Sequence, residues 1–584
     1  MKKKYFIIIL SLVMMLLVSC SQPTNIEEPQ KPAEIQEPAK EHLNEAAEPE
    51  PEEVTYDVVI VGGGSAGTTA ALAAQSAGAK TLVVEKTGML GGVAGNMAVG
   101  MLATESSLQK EADRIVYTGD MYNKLMEFND YRSDGLLVKS ILKASASTVD
   151  WLMENGLSLI LGPTSDQYLH LSEEGIPINS TYHMFNGVME TYKNSDSDVD
   201  TSSITNNRFF GLYKNYLAQG GKILLNTRVY KLLTDDKGIA AGVICEKEDG
   251  TDLIVHAKSV VLCAGSYGGE SDEFKEFSGL DIYESISMDN QGEGIEMAID
   301  IGAHEWGTHS FMLHNSDSFS LADPTESIKD NDAWLLCNNS YAMWVNREGN
   351  RFANEQIGGD SALWANTTYS QGGVYYVIVD QAAVDDLIVN GTPTVVNIGE
   401  HYGAEYSMFN GAYIDRSNPP VSVTGELTGP IANLQNNLDE LAKEGKIGKA
   451  DTLEELAEQL SMNPEYLNNS AKQYNIAVEN KDDAEFAKDS EYLTYTISKG
   501  PYYAIGVCTN TLGGTLGGVR VNDKLEVLNK KTGLPLPNLF AAGTNAGGYY
   551  GNNGSYPVYE GAACGFALVS GRLAGENAAK NALK

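Results

Sequence analysis

Four tyrosines, Tyr549, Tyr550, Tyr556 and Tyr559, fall within eleven consecutive residues near the C-terminus. A phenol, with an ordinary pKa of about 10, is protonated at neutral pH and can donate that proton to a carbanion or hydrogen-bond an enolate. The same cluster also suits plain packing, since an aromatic body with a wet hydroxyl fits the edge of a core. A second stretch able to do chemistry is the G-x-G-x-x-G run Gly62, Gly64, Gly67, with Ser65 and Ala66 inside it. Glycines at this spacing let a backbone approach a pyrophosphate, and a following helix N-terminus favours the phosphate charge.

These groups need elements to hold them. Tyr56 to Val61 is a short β-branched apolar run that predicts a strand, Thr68 to Gly78 is Ala-rich and predicts a helix, and Thr81 to Val84 predicts a second strand ending at Glu85. Strand, glycine turn, helix, strand and acid in that order form a dinucleotide fingerprint, with Glu85 placed to accept hydrogen bonds from a ribose diol. A bare glycine motif is weak, but here its whole strand–helix–strand context is present. The expected class is α/β with a doubly wound, Rossmann-like sheet.

Composition narrows the rest. A chain of 584 residues exceeds one core and allows two to four domains at roughly 150 residues each. Lys plus Arg is 41 against 78 Asp plus Glu, a net charge of −37, which repels phosphate backbones and excludes nucleic acid as a partner. The six cysteines contain no C-x-x-C pair, so zinc-ribbon, iron–sulfur and haem-attachment readings have no support and no metal site is expected.

Lys2, Lys3 and Lys4 precede an apolar run from Tyr5 to Val18, closed by Leu17-Val18-Ser19-Cys20. The run is shorter than the roughly 20 residues that span a bilayer and has the layout of a signal peptide. Leu-Val-Ser-Cys resembles the bacterial lipobox, which implies lipidation at Cys20 and a lipid-anchored protein on the extracytoplasmic face of the cell membrane. The Glu-, Pro- and Ala-rich stretch after it cannot bury enough apolar surface to order itself, so it is expected to be a tether. The other cysteines follow no disulfide spacing and are expected to be buried thiols.

Further motifs follow in order: Glu85-Lys86, Gly91-Gly92, Asn226-Thr227-Arg228-Val229, Val260-Val261-Leu262-Cys263-Ala264-Gly265, Gly292-Glu293-Gly294, and Asn538-Leu539-Phe540-Ala541-Ala542-Gly543. With them the chain resembles the flavoprotein-subunit family of fumarate reductase and succinate dehydrogenase, which also holds urocanate reductase and 3-ketosteroid Δ1-dehydrogenase. The resemblance runs from about Thr55 to the C-terminus and implies non-covalently held FAD. The residues it assigns to the cofactor are Gly62, Gly64, Ser65, Ala66 and Gly67 at the first turn, then Glu85, Lys86, Gly91 and Gly92. Val229, Ala264, Gly265 and Glu293 follow, with Gly543, Thr544, Ala563 and Cys564 near the C-terminus. Tyr341 to Glu355 looks like the family's capping segment. Thr452-Leu453-Glu454-Glu455 is a capping box and Asn463-Pro464 a cap before a first-turn proline, so helices are expected to start near 453 and 464. The expected organisation is a signal over 1–19, a tether over 20–54, an FAD domain over 55–309 and 499–584, and a cap over 310–498. The strand after Gly500-Pro501 is expected to return the chain to the FAD domain.

In this family the substrate lies between flavin and cap, and a hydride moves between flavin N5 and an activated carbon pair. His314, in Phe311-Met312-Leu313-His314-Asn315, matches the first family histidine. The second is replaced within Thr511-Leu512-Gly513-Gly514. The relay arginine aligns with Gly359, Ala382-Ala383-Val384-Asp385-Asp386 stands where the acid arginine belongs, and Tyr556 to Ala563 lacks a third. Each guanidinium would pair a carboxylate bidentately, so a small dicarboxylate is disfavoured and a neutral or singly charged unsaturated substrate is expected. Tyr556-Pro557 resembles the Y-P-G-P-G run of ketosteroid dehydrogenases, where a tyrosine hydroxyl and a glycine amide polarise a ketone. The catalytic candidates are therefore Tyr556, Tyr559, His314 and Gly561, with Glu560 expected to face away.

No haem motif, flavin-attachment motif or second dinucleotide fingerprint is found, so a separate membrane-linked carrier is the expected electron donor. Three readings stand: an extracytoplasmic ene-reductase acting on an enone or enoate, a ketosteroid-type desaturase, and a flavin-carrying lipoprotein without a substrate.

Overall fold

A β-branched run with apolar side chains on both faces is stable only where both faces are covered, and Val58 to Val61 and Thr81 to Val84 are buried throughout. The computed structural model describes residues 51–98, 100–161, 181–185, 209–267, 290–308, 310–324, 326–328, 336, 337, 339–359, 361–391, 430–551, 559 and 561–584. The expected signal, Cys20 and nearly all of the tether lie outside them.

The main sheet has eight strands. They are β1 (Glu52–Val61), β2 (Thr81–Val84), β3 (Lys222–Leu224), β4 (Thr227–Thr234), β5 (Ala240–Lys247), β6 (Asp252–Leu262), β7 (Glu526–Leu528) and β8 (Pro535–Ala541). The order is β7-β8-β6-β1-β2-β3; β8, β6, β1, β2 and β3 pair in parallel, while β4 and β5 form an antiparallel ribbon against β6. From β1 the chain steps to β2 and β3 on one side, and β6 and β8 fill the other. The strand order therefore reverses between β1 and β6, and a ligand crevice opens at the carboxyl ends of strands at such a point.

Three boundaries differ from those read in the sequence. β1 starts at Glu52, inside the expected tether, because its first residues pair with Leu253 to Ala257 of β6; backbone pairing extends the strand although these side chains are mostly exposed. The first helix, α1 (Ser65–Ser76), starts within the glycine motif instead of at Thr68 and ends before Gly78, whose φ of +92° stops it. The strand Tyr502–Thr515 does not return to the parallel sheet. It pairs with Phe311–Phe319, Val374–Asp380 and Gly448–Ala450 in a separate five-stranded sheet, and the chain rejoins the main sheet only at β7.

That second sheet is covered on both faces. Along Val374–Asp380 and its neighbour, Tyr375, Val377, Val379, Tyr503, Ile505 and Val507 enter one core, while Val374, Tyr376, Ile378, Ala504 and Cys508 enter another. Side chains alternate between faces with a period of two, so one strand feeds both cores. The helices Leu453–Gln459 and Pro464–Asn480 start as expected, the first with both halves of its capping box formed at Thr452 and Glu455, the second with Asn463 capping Glu465 N–H.

A three-stranded sheet of Gly100–Leu102, Leu159–Leu161 and Tyr182–Phe185 carries the fully buried His183. Its Nε2 lies 2.6 Å from Ser106 Oγ and its Nδ1 3.0 Å from the Thr181 carbonyl. Because Ser106 Oγ already accepts from Gln109 N–H, the consistent tautomer has Nδ1–H donating to Thr181 and the serine hydroxyl donating to Nε2. Burial pushes the imidazole pKa down to about 4, against the opposing pull of the Thr181 carbonyl. Between about pH 6.5 and that value the unfolded chain takes up a proton that the folded one refuses, so stability falls as the pH falls, by about 3 kcal/mol in total. Denaturant unfolding at pH 7 and pH 4.5 should show this loss in the wild type and a much flatter dependence in His183→Gln.

Candidate functional site

The glycine turn follows β1 directly, and the three glycines of its motif, Gly62, Gly64 and Gly67, have different neighbours. A Cβ on Gly62, whose φ is +98°, would lie 2.4 Å from the Cys263 carbonyl oxygen, and one on Gly67 would lie 1.9 Å from the Gly62 carbonyl oxygen. Around Gly64 such a carbon would meet no protein atom within 4 Å. The first and last glycines are therefore required by the fold, while the middle one faces open space. Gly64 also caps α1 without a side-chain hydrogen bond, and no acidic residue occupies the first turn of the helix. Its positive end, with Ser65, Ala66 and Gly67, is left to favour an anion.

The turn is held from three sides. Gly63 N–H donates to Glu85 Oε2 at 2.7 Å, Gly91 N–H donates to the Gly63 carbonyl at 2.7 Å, and Gly64 forms a bridge with Gly91. Gly91 and Gly92 both have positive φ, and a Cβ on Gly92 would lie 3.2 Å from Gly64 Cα. Glu85, read as a ribose ligand, orders the loop as well: its Oε1 accepts from Thr87 N–H and Oγ1, each at 2.9 Å. Three acceptor positions are used, leaving about one for a ribose hydroxyl.

Lys86 and Glu293 are joined to each other, Nζ to Oε1 at 3.0 Å, and Arg228 Nε approaches the same carboxylate at 3.5 Å. Glu293 opens the helix α2 (Glu293–Asp300) after Gly292, so this ion cluster ties the ends of β2 and β4, where Val229 is buried, to that helix. Ala264 and Gly265 follow β6. Ala264 N–H donates to Asn545 Oδ1 at 2.6 Å and Asn545 Nδ2 donates to the Gly265 carbonyl at 2.5 Å. A Cβ on Gly294 would lie 2.8 Å from the same Oδ1. The fully buried Asn545 thus clamps the β6 loop against α2. Sequence reading stopped at Gly543 and Thr544 and missed it; asking what satisfies the backbone of Ala264 and Gly265 would have pointed to a nearby side-chain amide.

The last helix, α3 (Ala562–Ala582), packs on α1 through glycines: Cβ atoms on Gly571 and Gly575 would lie 2.2 Å from the carbonyl oxygens of Ala66 and Ala70. Residues 571 and 575 match 66 and 70 in order, so the helices run parallel. At 1.5 Å rise per residue, α3 begins about 12 Å ahead of α1. Its first residues, Ala562, Ala563 and the buried Cys564, follow Gly561, which has φ of +73° and adds no side-chain cap. The Gly561 carbonyl accepts from Leu102 N–H at 3.0 Å. Gly543, with φ of +60°, is held by its N–H to Ser570 Oγ at 3.0 Å, with Thr544 in the same short turn. Two helix N-termini without side-chain caps thus point the same way on neighbouring parallel helices, an arrangement that suits an elongated dinucleotide with its diphosphate at Gly64.

The four tyrosines separate. Tyr549 stacks on Phe566 at 4.5 Å between centroids, and Tyr550 packs edge-on to both rings, so these two are core residues. Tyr559 is buried, and burial, with the charge of Glu127, pushes its phenol up to about 12. It stays protonated at neutral pH, two residues before Gly561 and three before the start of α3. Tyr556 and Glu560 lie outside the described residues. His314 lies on the strand Phe311–Phe319, where Leu313 pairs with Thr511 and Asn315 with Asn510. In the backbone register it is the extra residue of a β-bulge.

In the capping segment Arg351 and Lys488 are buried with two carboxylates. Arg351 Nε donates to Glu355 Oε1 at 2.8 Å and its Nη2 to Glu355 Oε2 at 2.8 Å and Asp483 Oδ2 at 2.7 Å. Lys488 Nζ lies 3.2 Å from Glu355 Oε2. Asp380, just before the Ala382 to Asp386 stretch where the family arginine was sought, caps the helix that carries that stretch by accepting from Ala383 N–H at 3.0 Å.

A family model described as FAD binding domain matches residues 57–556. The chain is 26% identical over 530 residues to vinyl phenol reductase of Lactiplantibacillus plantarum, covering 90% of this chain and 97% of that protein. It is 26% identical over 536 residues to the cytochrome-type fumarate reductase of Shewanella frigidimarina, covering 91% and 78%. The structure of 3-ketosteroid Δ1-dehydrogenase from Sterolibacterium denitrificans, in complex with 1,4-androstadiene-3,17-dione, has the same fold, with a TM-score of 0.65 at 18% identity over 90% of this chain and 99% of that one.

Proposed function

The chain belongs to the FAD binding domain family, and from that premise we propose an extracytoplasmic ene-reductase that reduces the activated C=C of a neutral or singly charged enone or enoate. It is an FAD-dependent oxidoreductase of CH–CH groups. Bound FAD supplies the hydride. The protein would hold the diphosphate on Gly62 to Gly67 and the start of α1, and offers a second helix N-terminus without a side-chain cap at Gly561 to Cys564. Reduction needs a proton for the carbon that gains carbanion character as the hydride adds to its neighbour. Tyr559 carries one, held on by burial, and its neighbour Tyr556 is the alternative donor.

The observation that supports the substrate class is the state of the buried cations. Among the described residues the buried Arg351 and Lys488 are both engaged by Glu355, and Arg351 also by Asp483, so neither guanidinium nor ammonium is left to neutralise a dicarboxylate. The vinyl phenol named for one relative carries no carboxylate, which agrees with that reading; the fumarate named for the other carries two.

Lipid anchorage at Cys20 and a membrane-linked electron donor complete the proposal, resting on the basic, apolar and Leu-Val-Ser-Cys order of the leader and on the single dinucleotide fingerprint. Under anaerobic conditions reduced viologen should bleach the flavin and drive turnover of enones, whereas NADH should leave it oxidised. Rapid bleaching by NADH would contradict the separate donor, and turnover of saturated ketones with a dye acceptor, without enone reduction, would contradict the direction.

A further inference from the structure

The helix Phe210–Ala218 carries two tyrosines that differ in one respect. Tyr213 and Tyr216 are both essentially inaccessible, and burial raises both phenols, which therefore remain donors. Tyr216 Oη accepts from Thr81 Oγ1 at 2.9 Å and donates to the Lys222 carbonyl at 2.9 Å, joining the helix to the starts of β2 and β3. Tyr213 Oη instead donates to the carbonyl of Gly63, in the middle of the glycine turn. Thr68 Oγ1, on α1, reaches both Tyr213 Oη and the Gly64 carbonyl, the latter at 2.8 Å, and shares its one proton between them.

The peptide that joins Gly63 to Gly64 is planar and trans, so its C=O and N–H point in opposite directions. By drawing the Gly63 carbonyl inward, Tyr213 turns the Gly64 N–H away from itself. With Gly63 N–H committed to Glu85, the orientation of this one peptide decides whether the turn presents a donor or an acceptor to an anion. The geometry points to Tyr213 as a positioning residue for the FAD diphosphate, setting the donor face of the glycine turn from 150 residues away in sequence. Removing its hydroxyl leaves the buried Gly63 carbonyl on Gly91 N–H alone, so the peptide is held less firmly with its donor face outward and the carbonyl can tilt toward the phosphate, where it would repel. Tyr216 has the same burial, the same helix and at least as many hydrogen bonds, accepting from Lys222 N–H as well, but none of them reaches the turn. The inference rests on FAD binding and does not depend on the ene-reductase reading.

The test compares Tyr213→Phe with Tyr216→Phe in the full chain, reading apoprotein melting temperature and FAD affinity by fluorescence titration of the apoprotein. Both variants are expected to melt lower by similar amounts. Only Tyr213→Phe is expected to bind FAD about tenfold more weakly, a loss of the size that one buried hydrogen bond supports. Thr68→Val, which keeps the branched shape and removes the second hydroxyl, is expected to weaken FAD about threefold and serves if Tyr213→Phe does not fold. Unchanged FAD affinity in Tyr213→Phe, or in Thr68→Val where only that variant folds, overturns the inference. So does an equal loss in Tyr216→Phe. A wild-type chain that binds no FAD would instead overturn the cofactor assignment.

Discussion

Gly64→Ala is expected to weaken FAD binding at least about 100-fold while leaving the apoprotein's melting temperature within about 2 °C of wild type. Gly64 has φ of −76°, which alanine adopts freely, and its Cβ would meet no protein atom within 4 Å. The only cost to the apoprotein is a poorer cap on α1, which falls between a few tenths and about 1 kcal/mol. A phosphate resting on the turn would meet the new methyl directly. Gly67→Ala should behave differently, since its Cβ would lie 1.9 Å from the Gly62 carbonyl oxygen and the backbone must move even without cofactor. That variant should lose both stability and FAD. Parallel titrations and melts separate the two cases, and normal FAD affinity in Gly64→Ala would show that the diphosphate lies elsewhere.

Glu355→Gln should lose about 3–5 kcal/mol in denaturant unfolding, because it leaves Arg351 and Lys488 buried with Asp483 as the remaining carboxylate. The side chains of all four residues are nearly or wholly inaccessible, so water cannot compensate. The cluster joins the end of the capping segment to the loop after Pro464–Asn480, two regions far apart in sequence. It also gives an acid limit. Burial raises the Asp483 carboxyl, but the Arg351 guanidinium and the N–H groups of Phe486 and Lys488 outweigh it and hold the pKa below its ordinary value. A depressed carboxylate contributes stability above its unfolded pKa of about 4 and loses it as the pH falls through the folded value. Asp483→Asn should therefore be weaker at pH 7 and show less further loss below pH 4. A loss under 1 kcal/mol in Glu355→Gln would mean that the cluster is solvated and could still serve a substrate.

What could be read in the sequence was local. Val58 to Val61, the glycine turn, Ala70 to Ala74 and Thr81 to Val84 declare themselves within thirty residues because periodicity, turn chemistry and propensity agree. Thr452 with Glu455, and Asn463 before Pro464, marked helix starts for the same reason. What was not legible depended on distant partners. Tyr502–Thr515 alternates as a strand of either sheet would, and only its pairing with Phe311–Phe319 and Val374–Asp380 decides which it joins. Tyr549 and Tyr550 could not be told from catalytic phenols without knowing that Phe566 stacks against them. Arg351 looked like a motif letter until Asp483, 132 residues on, was brought to it. Asn545 and Tyr213 carried no motif, because their role is to satisfy backbone groups of segments about 280 and 150 residues away.

The central claim, hydride delivery to an activated C=C that does not carry two carboxylates, is tested most directly by a single-turnover experiment. The protein is reduced with dithionite under anaerobic conditions, freed of excess reductant, and mixed with fumarate, a monocarboxylic enoate, a vinyl phenol or a cyclic enone while the flavin's visible absorbance is followed. Reoxidation by at least one neutral or singly charged alkene, at least about tenfold faster than by fumarate and with the saturated product formed in equal amount, is the predicted result. Fumarate as the fastest oxidant, or no alkene reoxidising the flavin at all, would contradict it.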